Sequence, residues 1–230
     1  MSMKIPKVIH QTWKDNCIPE EFQSFSFSWM NHHPDWEYRL WTNVDNRNFI
    51  SKDHHWFLPF YDNYQLNIQR ADAVRYFILY TYGGMYVDLD FECFKRVEPL
   101  LNNRECVLAL EPERHCRNHG VERIISNAFM ASTPNHPFFY AVTKGMAFHV
   151  PRARRLNDFV LETTGPLMLS RVYGGFPNPE TLTLLPSKFL FPLDYEEAGR
   201  FIRTRDPELK AKLRDSYGIH YHWGSWWSSG

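Results

Sequence analysis

The sequence has few cysteines, no excess of either charge and no long apolar run. Its four cysteines (Cys17, Cys93, Cys106 and Cys116) contain no C-x-x-C pair. We therefore predict free, mostly buried thiols in a reducing compartment rather than a disulfide framework. Lys plus Arg and Asp plus Glu each total 26. This balance argues against a nucleic-acid partner held by a global positive field.

The apolar stretches are too short to span a membrane, and the first ten residues lack an apolar run of signal-peptide length. We therefore expect a soluble chain without a transmembrane segment, located in the cytoplasm. Its 230 residues fit one domain with a core of its own. Aromatic residues make up 17%, which either a flat-faced ligand or a thick aromatic core would explain.

Strand and helix patterns alternate in the first half of the chain. Strands are predicted over 5–11 and 37–41, and helices from Pro19 towards Pro34 and over 43–50. A long helix with apolar residues at helical spacing then ends at Tyr82, where Gly83 and Gly84 provide its cap and the following turn. A strand follows over 85–89. This order favours an α/β fold with a parallel sheet covered by helices.

The second half is less regular. We predict strands over 106–110, 124–130 and 182–185, helices over 137–149, 157–171 and 207–214, and a polar, mobile loop over 111–120. No internal repeat or linker is evident, so 1–230 is treated as one domain.

Two acidic residues stand at the end of the strand that follows the glycine pair. Residues two apart in a strand point to the same face, so Asp88 and Asp90 are expected to project together. Two neighbouring carboxylates repel unless a hard cation such as Mg²⁺ or Mn²⁺ binds them, with open positions left for phosphate. The carboxyl edge of a parallel sheet is also where ligands bind in such folds.

The preceding helix carries Asp72 and Arg75, three residues apart and therefore on one face. One interpretation is an ordinary surface ion pair. The other places Arg75 against phosphate or sugar oxygens, with Asp72 holding hydroxyl groups.

The C-terminal segment combines histidines with tryptophans. His220 and His222 alternate along an extended stretch and could both bind a metal, although often only one of two such histidines does. The tryptophans either pack on the sheet or form a lid over the ligand. Elsewhere, His115, Cys116 and His119 make an incomplete zinc set. Arg152, Arg154 and Arg155 form a basic loop, which indicates a solvated face, a phosphate-bearing acceptor or a membrane surface.

The stretch R-A-D-A-V-R-Y-F-I-L-Y-T-Y-G-G-M-Y-V-D-L-D, ending at Asp90, resembles the signature of glycosyltransferases with a DXD sugar-binding region (family 32). The opening I-P-K-V-I-H-Q-T-W and the ending H-Y-H-W-G-S-W resemble its first strand and its C-terminal motif. Clostridial glucosylating toxins share the D-x-x-R…D-x-D spacing at greater distance.

This resemblance implies a GT-A, Rossmann-like fold with a mixed, mostly parallel sheet flanked by helices. It implies a UDP- or GDP-sugar donor, Mn²⁺ or Mg²⁺ and a glycan or other hydroxyl acceptor. Within the single domain, the resemblance implies that 1–110 binds the nucleotide sugar and the metal, 111–215 forms the acceptor side, and 216–230 forms a metal-binding lid. It further implies transfer of a hexose (mannose, galactose, glucose or N-acetylglucosamine) with retention. The catalytic residues it implies are Asp72, Arg75, Asp88 and Asp90. The donor-binding residues it implies are His10, Gln11, Thr12, Trp13, Arg75, Tyr86, Asp88, Ser225 and Trp226, with Trp13 stacked on the base. The metal-binding residues it implies are Asp88, Asp90, His220 and His222, with His220 favoured between the two histidines.

No carboxylate stands out as a nucleophile, which fits a front-face attack in which the departing phosphate takes the acceptor's proton. Two other functions remain open at this point: a metal-dependent phosphohydrolase acting on nucleotide sugars, and a non-catalytic glycan-binding protein. We expect no nucleic-acid partner, and we consider peripheral membrane contact compatible with the sequence.

Overall fold

The computed structural model describes residues 3–148 and 155–223. Its main sheet has six strands in the order β2-β1-β3-β6-β5-β7. The strands of this sheet are β1 (Val8–Thr12), β2 (Glu37–Trp41), β3 (Gly84–Val87), β5 (Cys106–Leu110), β6 (Ile125–Ser132) and β7 (Leu182–Leu185). Two further strands, β4 (Phe91–Cys93) and β8 (Gly218–His220), pair with each other in a second sheet.

The main sheet is mixed and mostly parallel. β1 runs parallel to β2 and to β3, and β5 runs parallel to β7. β6 is antiparallel to both of its neighbours, β3 and β5. The predicted α/β fold with a mixed, mostly parallel sheet is therefore confirmed, and β6 is the one reversed strand of the main sheet.

Helices cover both faces of the sheet. In chain order they are α1 (Glu20–His32), α2 (Asn43–Asp53), α3 (Leu58–Asn63), α4 (Asn67–Tyr82), α5 (Glu98–Leu101), α6 (Glu113–Asn118), α7 (Pro137–Phe148), α8 (Leu156–Thr163), α9 (Pro166–Gly174), α10 (Tyr195–Thr204) and α11 (Pro207–Lys212). No helix in the described ranges combines the length and the apolar character needed to cross a bilayer.

Two sequence predictions in the second half were wrong. The stretch 111–120 contains α6 instead of being a loop throughout. The helix predicted over 157–171 is two helices, because the chain leaves helical geometry at Thr164 and Gly165 and begins again with Pro166. A proline at the first position of a helix lacks the N–H that would continue the preceding turn, so the break follows from the sequence.

The two faces of the main sheet form separate apolar clusters. One contains α4 side chains with α7 and α9, and the other contains Trp29 with Phe91, Phe129 and Phe191. Trp29 is fully buried, and its indole N–H donates to the carbonyl oxygen of Phe91 at 2.7 Å. A thick aromatic core thus accounts for much of the aromatic content. Of the cysteines, Cys93, Cys106 and Cys116 are buried, Cys17 is exposed and all are free, as predicted.

The glycine pair makes the turn from α4 into β3. Gly83 and Gly84 have φ values of 64° and 85°, which side chains rarely tolerate. A Cβ atom on Gly84 would lie 2.7 Å from the carbonyl oxygen of Val8. The turn therefore brings the start of β3 tightly against β1.

The small sheet holds the C-terminal segment against the turn that follows β3. β8 pairs antiparallel with β4, and Phe91 lies opposite His220. The amide of Tyr221 also donates to the carbonyl oxygen of Asp90 at 3.0 Å. This pairing brings the histidines of the C-terminal segment to the acidic pair.

Candidate active site

Asp88 and Asp90 lie in the turn just beyond β3. The Asp88 amide donates to the carbonyl oxygen of Ala128 at 3.0 Å. Its own carbonyl oxygen accepts from the side-chain amide of Gln11 at 3.2 Å. Both acids are thus neighbours as predicted, but a turn brings them together, since the strand has ended at Val87.

His220 completes a group of three possible metal ligands with these acids. The ligand atoms of Asp88, Asp90 and His220 all lie within 4.8 Å of one another. His220 Nε2 is 3.0 Å from Asp90 Oδ1 and 4.0 Å from Asp88 Oδ2. The amide of Trp223 donates to Asp90 Oδ2 at 2.8 Å, which fixes the other side of that carboxylate.

The charges of this group are strongly coupled. Burial lowers the pKa of His220, but the Asp90 and Asp88 carboxylates raise it by more, to about 9. Burial raises the pKa of Asp90, and His220 lowers it by more, to about 2. Without a metal, a proton on His220 therefore supplies the positive charge between the acids. Two carboxylates and one imidazole form a donor set that suits Mn²⁺, and the carboxylates also suit Mg²⁺.

Asp72 and Arg75 form a buried ion pair that extends to Asp88. Their side chains are only 7% and 4% exposed, so the interpretation as a surface pair is wrong. Arg75 Nη2 lies 2.9 Å from Asp72 Oδ1, and Arg75 Nη1 lies 3.2 Å from Asp88 Oδ1. Asp72 also accepts from the Asn127 amide at 3.0 Å and from the Thr164 hydroxyl at 3.1 Å. Burial raises the pKa of Asp72 to about 6, while Arg75 lowers it.

Tyr86 lies beneath this charge chain. Its hydroxyl donates to Asp88 Oδ1 at 2.9 Å and is 2.9 Å from Thr12 Oγ1. The Arg75 guanidinium lies over the Tyr86 ring, 4.6 Å from its centroid. Tyr86 is almost fully buried and does not line the pocket, so it supports Asp88 and Arg75 from below.

Four of the predicted donor-binding residues lie in β1 or directly after it, and only two of them line the cavity. His10 is fully buried, accepts from the Trp41 indole N–H at 3.1 Å and lies 3.1 Å from the Gly83 carbonyl oxygen. Gln11 is equally buried and holds the Asp88 backbone. Neither of these two lines the pocket. Thr12 and Trp13 do line it.

A cavity of about 970 Å³ opens beside these groups, which is large enough for a sugar nucleotide. Trp13 and Phe22 stand at one side, in edge-to-face contact with ring centroids 5.6 Å apart. The indole N–H of Trp13 is buried and lacks a hydrogen-bond partner among the described residues. Asp72, Arg75, Asp88 and Asp90 all line the same cavity.

A second group of three possible ligands, which the sequence reasoning missed, also lines the cavity. Glu111, His115 and His222 have ligand atoms within 4.8 Å of one another. Glu111 Oε2 is 2.9 Å from His115 Nδ1, and the Tyr195 amide donates to His115 Nε2 at 3.2 Å. The described residues thus bring His220 to the acid pair and His222 to Glu111. The position of Glu111 directly after a buried strand was the available signal.

Two predicted residues, Ser225 and Trp226, lie outside the described residues. The incomplete zinc set is not assembled in the described ranges, because His115 joins Glu111 and neither Cys116 nor His119 belongs to a group of possible metal ligands.

The fold agrees with comparisons to known proteins. A solved structure titled PaToxG glycosyltransferase superimposes with a TM-score of 0.57 at 14% identity, over 91% of this chain and 77% of that one. The structure therefore has the GT-A glycosyltransferase fold, as predicted. The family described as "Glycosyltransferase sugar-binding region containing DXD motif" matches residues 19–107, which include Asp72, Arg75, Asp88 and Asp90.

Curated relatives extend the match over the whole chain. Inositol phosphoceramide mannosyltransferase 3 of Schizosaccharomyces pombe is 38% identical over 99% of this chain and 57% of the relative. Mannosyl phosphorylinositol ceramide synthase CSH1 of Saccharomyces cerevisiae is 36% identical over 84% of this chain and 49% of the relative. The chain belongs to the family of glycosyltransferases with a DXD sugar-binding region. It spans about half the length of these relatives.

Proposed function

We propose that this chain transfers a hexosyl group from a nucleoside diphosphate sugar to a hydroxyl acceptor. The observation that carries the proposal is a continuous chain of charged side chains at one end of the cavity. Asp72 pairs with Arg75, Arg75 with Asp88, and Asp88 stands beside Asp90 and His220. Such an arrangement offers oxygen ligands for a cation, and hydrogen-bond donors and acceptors for a sugar pyrophosphate.

The cofactor that fits is Mn²⁺ or Mg²⁺, held by Asp88, Asp90 and His220. A bound divalent ion neutralises negative charge that grows on the leaving diphosphate. Trp223 fixes Asp90 through its backbone amide, and Gln11, Tyr86 and Arg75 fix Asp88. These contacts hold the ligand oxygens in place before the ion binds, so little reorganisation is needed.

We propose that Arg75 stabilises the leaving phosphate; the position of its guanidinium, which lines the cavity beside the acid pair, supports this role. Asp72 is buried and is fixed by Asn127 and Thr164. Its proposed role is to accept hydrogen bonds from hydroxyl groups of the donor sugar. Trp13 presents an aromatic face on which a base can stack. Transfer is proposed to retain the anomeric configuration by front-face attack, with the departing phosphate accepting the proton of the acceptor hydroxyl.

The names of the relatives suggest a donor and an acceptor. Two relatives named as mannosyltransferases of inositol phosphoceramide match 99% and 96% of this chain. We therefore propose mannose as the sugar, with GDP-mannose as the first donor to test, and a lipid-borne inositol phosphate as the first acceptor. A cytoplasmic location stays a prediction.

A screen of UDP- and GDP-sugars with Mn²⁺ tests the proposal without knowledge of the acceptor. A glycosyltransferase should hydrolyse one donor slowly and show faster turnover of the same donor when a lipid or glycan acceptor is added. A phosphohydrolase would release sugar or sugar phosphate at a rate that no acceptor increases. Binding of oligosaccharide without nucleotide or metal, with no turnover of any donor, would also contradict the proposal.

A further inference from the structure

Four exposed aromatic residues cluster on the surface formed by α3, α7 and the turn before α3. Trp56 and Phe60 are each 38% exposed, Tyr140 is 50% exposed and Phe148 is 75% exposed. We call these four residues the aromatic patch. Contiguous exposed apolar surface of this kind marks a binding face more often than a chance arrangement.

The patch is continuous because two helical faces lie side by side. Tyr140, Lys144 and Phe148 are spaced four residues apart on α7 and share one face. Lys144 Nζ lies 3.5 Å from the Trp56 ring centroid and 5.3 Å from that of Tyr140. Phe148 lies 6.4 Å from Phe60, measured between ring centroids. A cation thus sits among the aromatic rings at the centre of the patch.

A basic residue lies on the helix beside the patch. Arg155, at the start of α8, is exposed and stands one helical turn before Phe159, which lines a cleft together with Phe60. The nearby acid of α3, Asp62, is paired with Arg47 at 2.8 Å. Lys144 and Arg155 therefore place positive charge within the patch and on the neighbouring helix.

The patch lies one helix away from the large cavity. Asn157, Asp158 and Leu161 of α8 line the cavity. Phe159 and Thr163, on the other side of α8, line a cleft together with Phe60. The width of a helix with its side chains is about 10 Å. A molecule held at the patch could therefore present its polar end to the cavity across α8.

We propose that the aromatic patch docks onto the surface of an anionic lipid bilayer. Trp and Tyr rings with one apolar body and one polar edge are favoured at the boundary between lipid headgroups and acyl chains. Basic side chains beside them are attracted to anionic headgroups. The docking deepens the proposed function, because a lipid-borne acceptor would then be delivered beside the cavity.

Vesicle co-sedimentation of the full chain, without donor or metal, tests this docking. We expect binding to vesicles of phosphatidylcholine and phosphatidylinositol in equal parts, and at least about tenfold weaker binding to phosphatidylcholine alone. The double variant Phe60→Glu/Phe148→Glu should lose at least about tenfold in binding to the mixed vesicles. Phe27→Glu is the matched control, since Phe27 is 54% exposed on α1, outside the patch.

A second variant guards against misfolding of the first. Lys144→Ala/Arg155→Ala keeps all four rings and should weaken binding to the mixed vesicles at least about fivefold while leaving the thermal midpoint unchanged. Absence of vesicle binding by the unaltered chain would overturn the docking, as would an equal loss in Phe27→Glu. If the unaltered chain is a dimer and Phe60→Glu/Phe148→Glu is a monomer, the patch serves self-association. That result would also overturn the docking.

Donor hydrolysis separates this proposal from the proposed function. If docking is correct, Phe60→Glu/Phe148→Glu should hydrolyse the donor as fast as the unaltered chain while failing to bind vesicles. Vesicle binding by a chain that turns over no donor would contradict the proposed function and leave the docking supported.

Discussion

The Nε2 atom of His220 lies 3.0 Å from Oδ1 of Asp90, although the two residues are 130 positions apart in the sequence. The contact exists because β8 pairs with β4 and places His220 opposite Phe91. The C-terminal segment therefore supplies the third residue of the metal-binding group. Any change that releases β8 from β4 is expected to remove one of the three ligands along with the backbone donor of Trp223.

The coupling of His220 to the acids predicts a pH dependence of stability. The folded pKa of His220, about 9, exceeds its ordinary value of 6.5. Its contribution is therefore fully present below pH 6.5 and is lost as the pH rises towards 9. In the metal-free chain this loss should approach about 3 kcal/mol in the free energy of unfolding.

Urea denaturation at pH 6.5 and pH 9 measures this loss. His220→Asn should largely abolish the difference, whereas His55→Asn, which changes an exposed histidine, should preserve it. An unaltered chain equally stable at both pH values would contradict the ion pair between His220 and Asp90.

Removing Arg75 should impair both catalysis and stability. Arg75→Ala leaves the buried Asp72 and the half-buried Asp88 without their shared cation, which should cost about 3–5 kcal/mol in the free energy of unfolding. In the folded fraction kcat should fall at least about a hundredfold, because Arg75 stabilises charge on the leaving group.

Steady-state kinetics and denaturation of the same preparation measure the two effects. The control is Arg47→Ala, which removes an exposed pair with Asp62 and should cost less than about 1 kcal/mol. If Arg75→Ala raises KM and leaves kcat unchanged, the proposed role of Arg75 at the leaving group is contradicted.

The turn before β3 should tolerate no side chain at Gly84. Gly84→Ala combines a φ of 85° with a Cβ atom 2.7 Å from the Val8 carbonyl oxygen, so we expect a loss of about 2–4 kcal/mol in stability. Gly174→Ala is the matched control, because no atom lies within 4 Å of its added Cβ. Thermal denaturation of both variants compares them. Equal thermal midpoints for Gly84→Ala and Gly174→Ala would contradict the close approach of Gly84 to Val8.

Trp13 should contribute to donor binding through stacking. Trp13→Leu keeps an apolar side chain beside Phe22 but removes the aromatic face, so the donor KM should rise about tenfold with little change in kcat. Trp56→Leu removes an exposed tryptophan that does not line the cavity and should leave the donor KM unchanged. A similar donor KM for Trp13→Leu and the unaltered chain would place the base elsewhere.

The sequence predicted the elements of the sheet better than their direction. The apolar runs of β3, β5 and β6 were each visible, but the reversal of β6 depends on long-range pairing with β3 and β5, which periodicity does not report. Helix α10 was missed although Ala198, Phe201 and Ile202 recur at helical spacing and pack in one apolar cluster. Its start was also encoded, since Asp194 and Glu197 form a capping box.

The sequence indicated most site residues but not how they are held. The spacing of Asp72, Arg75, Asp88 and Asp90 was sufficient to expect them at one site, because a helix, a tight turn and a strand connect them. That His10 supports the turn from within the core could not be read from the sequence, because it depends on contacts with Gly83 and Trp41. Glu111 was missed because α6 was taken for a loop.

The most direct test of the account is calorimetric titration of the fitting donor, GDP-mannose first, into the unaltered chain and into Asp90→Asn, with and without Mn²⁺. We predict that Mn²⁺ tightens donor binding to the unaltered chain at least about tenfold and has no effect on binding to Asp90→Asn, with both proteins equally folded. Asp35→Asn, which changes an exposed acid paired with Lys7 and Arg96, should behave as the unaltered chain. Donor binding that Mn²⁺ strengthens equally in Asp90→Asn would contradict the account.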